Sequence, residues 1–120
     1  MATFTKILLS GSTQGQPITV VQTASPGTTI HTTGTSSSII DEVWLYANNT
    51  STSPVLLTVQ FGGTSTPDDD IKVTIPPQSG LTLVVPGLIL TGTGAAANTV
   101  RAYASAANVI MISGYVNRIS

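Results

Sequence analysis

His31 and Asp41 are the residues with which a Ser-His-Asp relay could be built in this chain. Such a relay needs a serine hydroxyl that the histidine activates, and in one common form that serine lies in a sharp G-x-S-x-G turn. The chain contains no G-x-S-x-G sequence, and its only histidine lies in TTIHTT, a pattern typical of a β-strand. We therefore predict a hydrogen-bonded structural histidine and no catalytic residue.

Carboxylates are the next groups that could carry chemistry. Asp68, Asp69 and Asp70 are consecutive, so their side chains diverge, and the alternating ligands of a calcium loop are missing. We expect a solvated turn that keeps a strand edge from pairing wrongly, and no metal site. Asp41 and Glu42 are adjacent on a predicted strand and face opposite sides of it, which excludes them as a glycosidase pair.

The segment GTGAAA resembles a dinucleotide fingerprint through Gly92, Gly94 and Ala97. That fingerprint requires a following helix and an acidic residue about twenty positions later. Only 26 residues follow Gly94, and none is Asp or Glu. We therefore predict a loop there and no cofactor.

The composition describes a neutral, hydroxyl-rich surface. Charged residues make up 8% of the 120 residues, whereas about 25% is usual, and the formal net charge is −1. Weak electrostatic repulsion between neighbours favours close association. The four basic residues are scattered, so no positive footprint for nucleic acid is expected. The chain has no cysteine, and its longest apolar run is interrupted by Pro86 and Gly87, so we expect neither disulfides nor a membrane span. The first residues, MATFTKILLSGSTQG, do not match a secretory h-region with a cleavage site, so we expect no export by a cleaved signal.

Short β-branched runs alternate with clusters of Gly, Pro, Ser, Thr and Asn along the chain, and no window has helical periodicity. The expected strands are Thr5 to Leu9, Ile18 to Gln22, Thr28 to Thr32, Ile39 to Ala47, Val55 to Phe61, Ile71 to Ile75, Leu81 to Val85, Leu88 to Leu90, Val100 to Ala104 and Val109 to Val116. This spacing predicts an all-β chain with one domain, residues 1–120, folded as an antiparallel β-sandwich. We favour a jelly roll over an immunoglobulin-like sandwich.

Alternation along each strand assigns its two faces. The predicted core positions are Val43, Leu45, Ala47, Val55, Leu57, Val59, Phe61, Ile71, Val73, Ile75, Leu81, Leu83 and Val85. The predicted wetter positions are Thr58, Gln60, Lys72, Thr74 and Thr82. The same alternation leaves six apolar or aromatic side chains pointing outward, namely Trp44, Tyr46, Leu56, Val84, Ile89 and Tyr103. Exposed apolar patches usually mark contact surfaces, so these six are the candidate oligomer or capsid contacts.

Four segments of the sequence resemble a known family: PGTTIHT, DEVWLYANN, VTIPPQSGLTLVVPGLIL and the C-terminal VRAYASAANVIMISGYVNRI. They are similar to small virion proteins of tailed bacteriophages, particularly capsid decoration or cement proteins. The resemblance covers most of the chain and implies a jelly roll or related sandwich, commonly trimeric. It also implies a chain that is made in the host cytoplasm, clamps neighbouring major capsid subunits on the capsid surface and helps the head withstand its packed genome.

Two other functions fit parts of the sequence. A head fibre, tail knob or connector component of the virion would share the same neutral β-structure. A carbohydrate-binding module would use Trp44 and Tyr46 as a platform on which sugars stack. The expected partners of the favoured function are a second and third copy of the chain and the major capsid protein, without direct contact to nucleic acid or membrane.

Overall fold

The computed structural model describes residues 2–120, and all regular structure in that range is β. Nine strands follow one another: β1 (Phe4–Leu8), β2 (Ile18–Thr19), β3 (Thr28–Thr32), β4 (Ile40–Asn49), β5 (Val55–Phe61), β6 (Asp70–Ile75), β7 (Thr82–Leu90), β8 (Thr99–Ala104) and β9 (Ile110–Ile119). Within residues 2–120 no helix is long and apolar enough to cross a membrane.

The strands form two antiparallel sheets packed together as a β-sandwich, as the sequence predicted. The five-stranded sheet has the order β1-β9-β4-β7, with β2 also pairing with β9, and the four-stranded sheet has the order β3-β8-β5-β6. Because β1 and β2 pair with successive parts of β9, they act as one interrupted edge strand.

Strand β4 shows how sequence alternation builds the core. Its ten residues alternate strictly between partly exposed and buried positions, from Ile40 to Asn49. Val43, Leu45 and Ala47 are fully buried, as predicted, and pack with apolar residues of both sheets. Together with Asp41 and Asn49 they line the inner face of the five-stranded sheet, whereas Glu42, Trp44 and Tyr46 lie on its outer face.

Strand β7 departs from the predicted alternation. The two strands expected at Leu81 to Val85 and Leu88 to Leu90 are one continuous strand whose register against β4 shifts twice. Each shift places an extra residue in β7, and such a bulge reverses the faces of the residues beyond it. The predicted core positions Leu81 and Leu83 are therefore wrong, since they are 62% and 46% exposed. Val84, predicted to point outward, instead packs against the core.

Two positions on the outer side of the four-stranded sheet are also more buried than predicted. Thr58 and Gln60 were expected on a wet face, yet both are buried. The Gln60 side chain accepts a hydrogen bond from the backbone N–H of Gly27 at 2.9 Å and donates one to Ser25 Oγ at 2.9 Å. The β2–β3 loop thus covers this part of the sheet, and the buried amide is satisfied by its hydrogen bonds.

We predict that Leu45→Ala and Leu83→Ala will differ sharply in stability. Leu45 is fully buried, so its truncation should lower the free energy of unfolding by about 2–5 kcal/mol. Leu83 is exposed, and its truncation should change that free energy by less than about 0.5 kcal/mol. Urea unfolding followed by circular dichroism measures both values. Equal losses would show that β7 has no bulge beside Leu45.

Candidate functional site

A buried ion cluster joins the two sheets. His31 lies on β3 of the four-stranded sheet, while Asp41 and Arg118 lie opposite each other on β4 and β9 of the five-stranded sheet. Asp41 Oδ2 is 2.8 Å from His31 Nε2. Arg118 binds the same carboxylate through two hydrogen bonds, from Nε to Oδ1 at 2.8 Å and from one terminal nitrogen to Oδ2 at 2.9 Å. His31 and Asp41 are each only 1% exposed.

The histidine ring has no nitrogen free for a serine hydroxyl. The backbone N–H of Ser10 donates to His31 Nδ1 at 3.1 Å, so the ring proton is assigned to Nε2, which donates to Asp41. Ser10 Oγ is also engaged, because it accepts the backbone N–H of Thr32 at 2.6 Å. The geometry therefore gives His31 the structural role that its strand-like sequence predicted.

Asp41 is held in its charged form. Burial by itself would raise the pKa of its carboxyl group, but hydrogen bonds from Arg118 and His31 and the positive charge of Arg118 outweigh that effect. The net pKa of Asp41 lies below its ordinary value, and the pKa of Arg118 is raised by the same pairing. The cluster is thus a polar cross-link of the sandwich in which His31 and Asp41 are buried and Arg118 is partly exposed.

The three consecutive aspartates do not share one environment. Asp68 is exposed, as a solvated turn requires, and Asp69 caps that turn by accepting the backbone N–H of Ser65 at 3.0 Å. Asp70 begins β6, and both of its carboxylate oxygens are buried with no hydrogen-bond partner among residues 2–120. Within the same residues, no group of three or more His, Cys, Asp or Glu side chains is placed to hold a metal ion.

The GTGAAA segment forms a loop between β7 and β8, as predicted, and is followed by a strand. Gly94 N donates to the carbonyl oxygen of Thr35 at 2.8 Å, and Thr93 N donates to that of Ala96 at 2.8 Å. The loop therefore connects two strands and lacks the helix that a dinucleotide site needs.

The outer face of the five-stranded sheet carries the largest group of exposed apolar side chains that share one face. These are Phe4 and Leu8 on β1 with Leu83 and Ile89 on β7, exposed by 72%, 53%, 46% and 61%. Between them lie the aromatic rings of Trp44, Tyr46 and Tyr115. Among the strand residues of this face only Lys6 and Glu42 are charged. We call this surface the outer face.

A stack of side chains crosses the middle of the outer face. The Trp44 and Tyr115 rings are 6.2 Å apart between centroids and inclined by 16°. Lys6 Nζ lies 4.6 Å from the centroid of the Tyr115 ring, which is a cation–π contact. On the β7 side, the backbone of Gly87 lies so close that an added Cβ atom would be 2.7 Å from the Trp44 ring. We call Lys6, Tyr115, Trp44 and Gly87 the cross-sheet stack.

Hydrogen bonds fix the orientation of Trp44 within this stack. Its Nε1–H donates to Glu42 Oε1 at 2.7 Å, and the Asn117 side-chain amide donates to the same oxygen at 3.1 Å. These two bonds lower the pKa of Glu42. A rigid aromatic group held at the centre of an apolar face is typical of protein contact surfaces.

The six predicted contact residues do not all lie together. Trp44, Tyr46 and Ile89 share the outer face, whereas Leu56 and Tyr103 lie on the opposite side of the sandwich, on β5 and β8. The sixth, Val84, packs against the core. Three of the six predicted residues therefore share the outer face, two lie on the opposite side of the sandwich and one packs against the core.

Four outer-face residues escaped the sequence prediction: Phe4, Leu8, Leu83 and Tyr115. Phe4 fell outside the predicted first strand, and the bulges of β7 concealed Leu83. Alternation in the final strand could have found Tyr115, because it stands one residue before the buried Val116 and so faces the other way.

The same stack weighs against a sugar platform on Trp44. Sugars stack on an open aromatic face, whereas the Trp44 ring lies beside the Tyr115 ring and close to the Gly87 backbone. Glu42, the carboxylate beside the ring, already accepts two hydrogen bonds within the protein.

We predict that Asp41→Asn will lower the free energy of unfolding by about 3 kcal/mol at neutral pH. Removing one partner of a buried ion pair costs this much because the other charge is left uncompensated, and partial exposure of Arg118 keeps the loss near the lower limit. Since the pKa of Asp41 is lowered on folding, its contribution is complete above the unfolded pKa of about 3.9 and is lost as the pH falls through the folded pKa. The difference between variant and wild type should therefore shrink below about pH 4.

Asp70→Asn is the matched control, because it removes the same charge where no partner exists. An unpartnered buried carboxylate disfavours folding, so this variant should be neutral or up to about 1 kcal/mol more stable. Chemical unfolding between pH 3 and pH 7 measures both variants. Similar losses for Asp41→Asn and Asp70→Asn would contradict the assignment of the buried cluster.

Comparisons of the chain with protein-family models, with curated proteins and with solved structures gave no match.

Proposed function

We propose that this chain is a structural virion protein, a capsid decoration or cement protein that binds an assembled bacteriophage head and stabilises it. The observation that carries the proposal is the outer face, where exposed apolar side chains flank a rigid aromatic centre with two charges. Such a surface is costly to leave in water and becomes favourable when another protein covers it. The sequence resemblance to tailed-phage virion proteins supports the same proposal.

In the proposed function, the chain acts without making or breaking covalent bonds. His31 is closed off by Ser10 and Asp41, and the carboxylates Asp41 and Glu42 are engaged within the fold. The chain can instead act through its β-sandwich and its weakly charged surface. Its contribution to the particle is therefore mechanical, since binding to the assembled lattice alone shifts the equilibrium toward that lattice.

Assembly of the chain as a homotrimer would strengthen such binding. Three linked copies can engage neighbouring capsid subunits together, and each further contact then forms at a high effective concentration. The modest contact area of one 12.3 kDa chain is thus multiplied over the particle. Apolar surface that the particle leaves uncovered is available for contact between copies of the chain.

We predict a trimer in solution at micromolar concentration. The exposed apolar side chains of the outer face and the low surface charge favour association over repulsion. Size-exclusion chromatography with light scattering gives the molar mass directly, and three chains of 12.3 kDa are expected. A mass of one chain at all concentrations would refute self-association and leave only binding to the particle.

We predict that particles containing this chain retain their genome better on heating than particles lacking it. Ile89→Lys, which places a charge on the outer face, should remove the chain from purified heads and abolish that protection. Val21→Lys is the matched control, because Val21 is similarly exposed at 52% but lies outside the strands that form the outer face. Both variants should fold, since neither position is in the core.

The measurement is the copy number on purified heads together with the temperature at which DNA is released. Equal loss of binding in both variants would contradict the proposal that the outer face contacts the head. If purified heads never carry the chain, the cement function is refuted, and the chain belongs in a tail, fibre or connector component of the virion.

A further inference from the structure

The sandwich has several strand edges, and most of them are obstructed. The β3 edge is covered by the segment that follows β1, where Gly11 N donates to the carbonyl oxygen of Ile30 and Ser10 Oγ accepts the N–H of Thr32. The β7 edge is broken by two register shifts and carries Pro86, which has no N–H to donate. The β6 edge presents the polar side chains of Lys72 and Thr74 on its exposed face. Such features keep edges from pairing with other chains.

Strand β1 differs from these edges. Its five residues are regular, contain neither proline nor bulge, and pair in unbroken register with β9. Its exposed face is apolar at both ends, through Phe4 and Leu8. A regular exposed edge with apolar side chains at both ends is a template for another strand, while the central charge of Lys6 restricts which strand can pair there.

The hydrogen-bond pattern shows which groups of β1 are open. Thr3 and Ser120 exchange both of their backbone hydrogen bonds, at 2.7 and 3.0 Å. In an antiparallel ladder every second residue bonds the same neighbour, so Thr5 and Ile7 also bond β9. The N–H and C=O groups of Phe4, Lys6 and Leu8 therefore point to the open side of β1.

We infer that an extended segment of a partner protein adds to β1 as a further antiparallel strand. The segment presents a carboxylate opposite Lys6, with apolar side chains two residues to either side, opposite Phe4 and Leu8. Backbone hydrogen bonds to Phe4, Lys6 and Leu8 supply the binding, and the side chains supply the selectivity. This inference rests on the proposed function, because it names the contact by which a capsid protein segment would be held.

Charge selects the partner. Lys6 is the central residue of β1, and among residues 2–120 no carboxylate lies within ion-pair distance of its ammonium group, which contacts the Tyr115 ring instead. A glutamate directly across the new strand pair gives Lys6 an opposite charge, and such cross-strand pairs stabilise a sheet. A second copy of the chain fits worse, because full antiparallel overlap of two β1 strands places Lys6 opposite Lys6.

The test uses a capped heptapeptide of the sequence threonine, valine, threonine, glutamate, threonine, valine, threonine, and the same peptide with lysine in place of glutamate. Amide exchange of the 15N-labelled protein is followed by NMR. With the glutamate peptide, the amides of Phe4, Lys6 and Leu8 should become protected, while Thr5 and Ile7 remain as they were. The lysine peptide should bind about fivefold more weakly, because the central pair becomes repulsive.

Lys6→Pro separates edge pairing from folding. Proline at this position removes an N–H that points away from β9, so the melting temperature should change little while peptide binding is lost. Thr5→Pro is the matched control, since it removes an N–H that bonds β9 and should lower the melting temperature by several degrees. A Lys6→Thr variant keeps the N–H and should bind both peptides equally.

Three results of the exchange experiment would overturn the inference. The β1 amides could stay unprotected at millimolar glutamate peptide, or the amides of β6 or β7 could become protected instead. The β1 amides could also become protected without peptide when the protein concentration is raised. The last result would assign the edge to a second copy. Binding of Lys6→Pro to phage heads at wild-type copy number would also refute it while leaving the cement function intact. Conversely, protection by the glutamate peptide would support this edge even if purified heads lacked the chain.

Discussion

The strict alternation of β4 is the constraint on which the rest of the molecule depends. This strand pairs with β9 on one side and β7 on the other, so it lies inside the five-stranded sheet. One side of it supplies Val43, Leu45 and Ala47 to the core. The other side supplies Trp44 and Tyr46 to the outer face. A slip of one residue would exchange the two sets, so the apolar core and the outer face are fixed by the same register.

The inner face of β4 carries a charged residue near its start, and residues of both sheets pair with it. Asp41 is buried, and a buried carboxylate needs partners. Arg118 provides a two-point contact from the adjacent strand, while His31 reaches it from the other sheet. Because the three residues come from β3, β4 and β9, the cluster fixes how the two sheets are aligned. The role of the cluster is structural, and the Ser10 N–H occupies Nδ1, the ring nitrogen of His31 that does not contact Asp41.

The outer face and the β1 edge meet at Lys6. This residue ends the cross-sheet stack on Tyr115 and also occupies the centre of the open edge strand. A partner strand at that edge would extend the five-stranded sheet and continue its apolar outer face. The proposed contact with a capsid and the inferred strand addition therefore use adjoining parts of one surface, and they bury apolar side chains and unpaired backbone groups together.

The sequence by itself determined the all-β class, the positions of most strands and the faces of β4, because period-two alternation is a local property that each strand displays alone. Only the tertiary structure decided the faces of β7, since its bulges arise where it pairs with β4 and bury Val84 while exposing Leu83. The burial of Gln60 likewise depends on a loop more than thirty residues away. The pairing of Asp41 with Arg118 joins residues 77 positions apart, and no local pattern encodes a partner that folding alone brings near.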